Sequence, residues 1–425
     1  MYLKIIKMLT KIQDEFFKYL EIAGKTLSGS FVYHAGTRYC LEWQADRLHL
    51  VTIAGADGGT VDDETRFVAE SEDFVLTATP SEGKSFGMWR GVPAAVCAAN
   101  PLRMKVTKAM TVTPYFNGKW SYDRDAKTIT DGNWTLKVTE PTSGNLAITC
   151  TMAGSSGSGI LALTSFPEDV PGYHVTELTA CQRYQSPFSA ETTGGHLTIN
   201  AFVGPEVTSV GTYTFCQAGA MLECIVLSDN LASVGAYTFW ATGGVTRFHP
   251  ARMPALASVG VRAFCSCGNG TSAELEPIDF DLPSLTQITV NEVFNSAPIV
   301  RSIRADALTT VTGTDVFSNS KNLRRIVLPK LATVTGGNLC KGSLALGEAE
   351  IGGTLTTLPA NAFSGCTALS NVVIKAPVST VAAGALKNIA PFAKVVFTGD
   401  APAFASDSLS AADAEAKNCR VRVCA

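Results

Sequence analysis

The decisive stretch is Leu323-Arg-Arg-Ile326-Val-Leu328-Pro-Lys-Leu331-Ala-Thr-Val334-Thr-Gly-Gly-Asn-Leu339-Cys340. Its apolar triplet, spaced L-x-x-I-x-L, returns as Leu222/Ile225/Leu227 and as Leu369/Val372/Ile374. Degenerate copies are Val245/Phe248, Leu275/Ile278/Phe280, Val300/Ile303/Ala305, Leu346/Ala349/Ile351 and Phe392/Val395/Phe397. Their first positions recur every 23 residues, apart from one step of 30 and one of 25. A second series keeps phase with the first: Phe215, Phe239, Phe264, Phe294, Phe317, Leu339, Phe363 and Leu386. An aliphatic residue precedes each of these, from Val210 to Val381. Two apolar series locked to one period of 20–30 residues specify a solenoid, in which each rung buries its apolar edge against the next.

Within each strand the L, I and L positions point inward, so the residues between them are expected to form exposed columns. One column runs Val226, His249, Asp279, Arg304, Val327, Glu350, Val373, Val396, and another runs Cys224, Arg247, Pro277, Ser302, Arg325, Glu348, Asn371, Lys394. Arg301, Arg304, Arg324 and Arg325 therefore cluster on two adjacent rungs, with Arg247 and His249 on the same face. This is the candidate ligand-binding site: a basic spot able to grip an acidic protein or a glycan carboxylate. The competing reading pairs Asp279 with Arg304 and Arg325 with Glu348, charges that only solvate the face.

Outside the ladder the chain is modular. Residues 1–27 read as an amphipathic helix, because Tyr2, Ile5, Leu9, Ile12, Phe16 and Tyr19 follow helical spacing among lysines. Charged residues interrupt its apolar run, so it is no standard secretory signal, and it offers the one expected membrane contact. Residues 28–116 alternate as short strands, with Trp89 as a core plug between Phe74/Leu76/Ala78 and Leu102/Met104/Val106. Residues 117–191, with a hairpin signal at Thr130-Asp131-Gly132-Asn133, are expected to cap the first face of the solenoid. An early ladder strand is expected at 160–163, a distorted rung at 175–188, and a last strand at 419–424. The solenoid and its C-terminal cap take 192–425. The expected fold class is thus mainly β, a parallel strand ladder preceded by a small β domain.

Two resemblances follow. The rung pattern, best seen in Leu355-Thr-Thr-Leu-Pro-Ala-Asn-Ala-Phe363-Ser-Gly-Cys366, resembles the BspA-type leucine-rich repeat of bacterial surface proteins. Ala54 to Phe116, with Leu76-Thr-Ala-Thr-Pro80, Phe86-Gly-Met-Trp89-Arg-Gly91 and Val106-Thr-Lys-Ala-Met110-Thr-Val-Thr, resembles the bacterial repeat related to the internalin B-repeat. Together they imply a non-enzymatic adhesion or interaction protein, extracellular or at the cell surface, binding host protein or polysaccharide through the solenoid face. The rivals are an exported carbohydrate-processing enzyme accessory and a purely structural stalk.

Other chemistries find little support. A formal charge of −3 gives no field that would attract nucleic acid. Gly83-Lys84-Ser85 lacks both the upstream glycine, replaced by Ala78, and the helix that a phosphate loop needs. Asp123, Asp125 and Asp131 do not complete a calcium loop, since Lys127 stands where an oxygen ligand belongs. The five histidines are scattered, so no catalytic residue, metal or cofactor is expected. Twelve cysteines are too few for a disulfide scaffold, although Cys265/Cys267 and Cys419/Cys424 could each bridge.

Overall fold

The structure is a computed structural model, and it describes residues 47–149, 157–183, 185–186, 188, 198–218, 222–270, 275–405 and 407–409, with backbone alone at 26–28, 31–34, 37–40 and 420–423. The helix expected over 1–27 lies outside these, except that Thr26 and Leu27 are already strand. The protein is mainly β. The one helix among the described residues is the single turn Phe166–Asp169.

Eleven described strands build the first ladder. Ser158–Ala162, Thr198–Val203, Cys224–Val226 and Arg247–His249 pair in parallel, and Ile278–Asp281, Val300–Arg304, Arg325–Leu328, Glu348–Ile351, Asn371–Ile374, Lys394–Phe397 and Arg420–Val423 form a second run. The expected strands near 160 and 420 are therefore present. Between the runs, where the sequence step is 30, pairing reduces to one bridge, Arg252 to Asp281. A second ladder of two-residue strands, from Ser209–Val210 to Ala403–Phe404, closes the other side of each rung. Its first sheet begins with the antiparallel hairpins Ser121–Asp123, Thr128–Thr130, Thr135–Thr142 and Asn145–Ile148, which lead directly into His174–Leu178 and Ser209–Val210.

The phenylalanine series forms one stack. Ring centroids run Phe188–Phe215 5.1 Å, Phe215–Phe239 5.7 Å, Phe239–Phe264 5.0 Å, Phe264–Phe294 5.1 Å and Phe294–Phe317 5.8 Å, all near parallel. The stack crosses the break at which strand pairing stops. Three residues after each ring position from Phe215 to Phe363 stands a small residue, and where it carries a donor it often bonds the backbone of the ring position one rung back. Thr242 donates to the Phe215 carbonyl (2.9 Å), Ser320 to Phe294 (2.6 Å), Ser343 to Phe317 (2.9 Å) and Cys366 to Cys340 (3.0 Å). Cysteine and serine recur there because a buried carbonyl needs a donor and the space allows only a small one.

Three readings of the ladder are corrected. Cys340, not Leu339, holds the ring position, since its amide donates to Ala362 as Phe317 donates to Leu339 and Phe363 to Ala385. Phe392 is 67% exposed, and Ala393 takes the inward place at 0%. The rung at 275–282 is in register two residues later than its pattern suggests: Phe280 pairs with Ile303, and Leu282 is the buried last position. The insertion hides this shift.

The N-terminal β unit has a four-stranded sheet in the order Arg66–Ala69, Leu48–Ile53, Met110–Gly118, Lys84–Arg90. Trp89 is fully buried in it and donates its indole N–H to Ala99 (2.9 Å). One hydrophobic cluster joins this unit to Ile160, Ala162, Ala201, Val203, Cys224 and Val226. These are outward positions of the first three ladder strands, so the unit sits on the strand face. Ser85 to Asp169 (2.8 Å), Thr164 to the Gly87 carbonyl (2.6 Å) and Lys108 to Glu276 (3.0 Å) fasten it. The exposed columns expected at Val226 and Cys224 are therefore buried, because the preceding unit covers them.

Candidate functional site

Beyond the break, the outward columns run Asp279, Ser302, Arg325, Glu348, Asn371, Lys394 and Asp281, Arg304, Val327, Glu350, Val373, Val396. The structure places Arg301 and Arg304 on one strand and Arg325 on the next, with Arg324 immediately before it. Of the two expected pairs, Arg325 with Glu348 is present and Asp279 with Arg304 is not. Because of the register shift, Asp279 binds Arg301 and Ser302 rather than Arg304, and it holds Arg301 through both carboxylate oxygens. Arg304 turns to Asp306 (2.9 Å), and Arg325 meets Glu348 at 3.4 Å. Arg324 is exposed and has no ion-pair partner among the described residues. The guanidinium beside Asp279 holds its carboxyl below the usual range, against partial burial. The strand face is therefore a set of largely compensated bands, on which Arg324 and Lys394 are exposed without an ion-pair partner among the described residues.

Arg247 and His249 belong to a different place. Arg247 donates to the Val92 carbonyl (3.2 Å) and lies between two clefts at the seam of the β unit and the ladder. One, of about 490 Å³, is lined by Gly91, Pro93, Lys108, Thr111, Thr246 and Glu276; the other, of about 360 Å³, includes Arg90, Tyr115, Asn200 and Glu223. His249 is half-buried and meets Asp229 at 2.9 Å. Burial lowers its pKa, and Asp229 opposes that shift. Neither residue joins the arginine cluster.

A third surface was not read from the sequence. Two residues before each ring position the backbone is left-handed: Tyr213, Tyr237, Arg262, Glu292, Asp315, Asn338, Asn361 and Gly384 all have φ between 53° and 67°. Side chains on this turn edge stack along the ladder. Tyr213 and Tyr237 lie 4.9 Å apart and nearly parallel, and Tyr237 meets Trp240 edge-on at 5.7 Å. Arg183 lies over Trp240 at 5.2 Å and Arg262 over Tyr237 at 5.9 Å. Arg262 is also bonded twice to Glu292 (2.7 and 3.1 Å). The result is a contiguous, half-buried patch of three aromatics and two arginines. The asparagines and glycine at 338, 361 and 384 were the signal, since those residues tolerate left-handed backbone best.

No group of three potential metal ligands occurs among the described residues. Burial pushes the thiols of Cys267 and Cys366 up to about 12, so both remain neutral. The described acids at 123 and 131 cap turns: Asp123 accepts from the Asp125 and Ala126 amides, and Asp131 from those of Asn133 and Trp134.

Six copies of the BspA type leucine rich repeat region match over residues 196–311 and 286–411, together about half of the chain. No curated protein matches. Among solved structures, a leucine-rich repeat protein of T. pallidum is 16% identical, with 55% of this chain and 87% of that one covered and a TM-score of 0.33. A leucine-rich repeat protein of Eubacterium ventriosum is 15% identical, covering 63% and 84%, with a TM-score of 0.25. A leucine rich cell surface protein of Faecalibacterium prausnitzii is also 15% identical, covering 69% and 98%, with a TM-score of 0.26.

Proposed function

The chain belongs to the BspA-type leucine-rich repeat family, and on that premise we propose that it is a non-enzymatic interaction protein of the cell surface or the secreted fraction, engaging a protein partner through the turn edge of its solenoid. Solenoids present extended surfaces built from rigid rungs, and such repeats generally serve as interaction scaffolds. The observation that carries the choice of edge is the patch of Tyr213, Tyr237, Trp240, Arg183 and Arg262. Tyrosine, tryptophan and arginine are the residues that dominate interface energetics. The strand face offers less: its first strands lie under the β unit, and most of its charges beyond the break are already paired. Exposed pairs of this kind contribute little, and a partner would have to displace them.

The test is an array of extracellular-matrix proteins and glycans probed with the wild-type chain, a Tyr237→Ala/Trp240→Ala variant and an Arg324→Glu variant. The turn-edge variant should weaken protein binding by roughly 30-fold or more, the range of a lost hot spot. Arg324→Glu should leave it nearly unchanged. Binding lost in Arg324→Glu and kept in the turn-edge variant would return the site to the strand face; glycans bound in place of proteins would replace the partner class.

A further inference from the structure

Among the described residues three arginines are half-buried: Arg66, Arg247 and Arg262. Arg66 is bonded to Asp63 and Glu72, and Arg262 to Glu292. Arg247 has no carboxylate within ion-pair distance among the described residues. Its side chain donates to the Val92 carbonyl, 3.2 Å from Nη1. A guanidinium carries five donors, and sheltering it from water is unfavourable unless an anion meets it.

The surroundings form a groove. Arg247 lies between the two clefts at the seam, of about 490 and 360 Å³, each within the size range of ligand sites. One wall is a column of four residues held in step by their own backbones. The Glu223 amide donates to the Asn200 carbonyl (2.9 Å), the Thr246 amide to that of Glu223 (3.0 Å) and the Glu276 amide to that of Thr246 (2.9 Å). Four rungs in step give the column a length of roughly 14 Å, and it continues past the point where strand pairing stops. The opposite wall belongs to the β unit and carries Arg90 and Lys108. Lys108 is engaged by Glu276 (3.0 Å), whereas Glu223 is exposed and has no ion-pair partner among the described residues.

We propose that this groove binds a short acidic oligosaccharide, with a sugar carboxylate on the Arg247 guanidinium and sugar hydroxyls donating to Glu223. Arginine meets a planar carboxylate through two parallel N–H donors, and a partly sheltered site strengthens that bond. The glutamates decide the rest of the ligand. Each cleft holds one, so a doubly charged phosphate or a run of adjacent carboxylates, as in an acidic peptide, is repelled. Hydroxyls donate to a carboxylate without bringing charge of their own. A chain in which uronic acid units alternate with neutral sugars supplies both features: sparse negative charge and many donors. The groove is separate from the turn edge, so either reading can fail alone.

The full chain is titrated calorimetrically with a tetrasaccharide that alternates glucuronic acid and N-acetylglucosamine, with the methyl ester of the same tetrasaccharide, and with triglutamate. The wild type should bind the acid about 10-fold or more tighter than the ester, the size of a lost charge-assisted hydrogen bond. Arg247→Ala should bring the acid down to the level of the ester, and Arg324→Ala, which removes an exposed arginine outside the groove, should bind it as the wild type does. The ester comparison needs no variant, so it decides the matter even where Arg247→Ala loosens the β unit. Equal binding of acid and ester by the wild type, binding of neither, tighter binding of triglutamate, or wild-type affinity in a folded Arg247→Ala overturns the proposal.

Discussion

The Ser343 hydroxyl donates to the Phe317 carbonyl one rung back, 2.9 Å away, and both residues are fully buried. The bond satisfies a carbonyl in the interior of the ladder. Ser343→Ala should cost about 1–3 kcal/mol, the penalty of a buried acceptor left unpaired. Ser320→Ala, which removes the same bond to Phe294, should cost as much. Thr309→Ala, at an exposed site, should stay within about 0.5 kcal/mol. Denaturant midpoints of the three variants check this, and equal midpoints would refute the role given to the column.

Phe264 is packed between Phe239 and Phe294, and it also meets Phe248 at 5.8 Å and Phe280 at 5.4 Å, edge-on. It lies where strand pairing is interrupted, and its ring joins the two runs of rungs there together with backbone bonds such as those from the Arg262, Phe264 and Ser266 amides to Asn291, Val293 and Asn295. Phe264→Ala should cost about 3–5 kcal/mol. It should also split one unfolding transition into two, because rungs communicate only through their neighbours. Calorimetry distinguishes this from a uniform loss, which would show as a single transition at lower temperature.

The repeat was legible because inward positions obey one period: from Leu222 to Leu386 nearly every residue of the two series is buried. What failed was local count. One residue slips at Cys340, one at Ala393 and two at Phe280, and periodicity cannot resolve slips beside an insertion. The strand face was misread for a different reason. Cys224 and Val226 look like exposed column residues, and only tertiary docking of a distant unit buries them. The pairing of Asp279 followed from the same slip, while the Tyr237–Trp240 patch depends on left-handed backbone that tyrosine and arginine do not advertise.

Gly313 and Gly336 mark close approach between rungs. A Cβ on Gly313 would lie 1.9 Å from the Val290 carbonyl oxygen, and one on Gly336 would lie 1.9 Å from that of Gly313. Backbone cannot yield there without opening the ladder. Gly313→Ala should therefore destabilise by about 3 kcal/mol or more, the upper range for overpacking. Gly399→Ala, where a Cβ meets nothing within 4 Å, should be close to neutral. Urea titration of both variants separates a steric cause from a general intolerance of alanine.

His249 supplies a prediction in pH. Its folded pKa lies below the unfolded value of 6.5, chiefly through burial, with Asp229 working the other way. As pH falls through about 6.5, the unfolded chain takes up the proton first, and stability is lost until the folded pKa is also passed. Above that window this histidine contributes no pH dependence. Groups away from residue 249 are common to the wild type and a His249→Gln variant and cancel in the comparison. The stability of the wild type relative to His249→Gln should therefore shrink between pH 7.5 and 5.5 in matched urea titrations. A relative gain on acidification would mean that the Asp229 contact outweighs burial, reversing the sign.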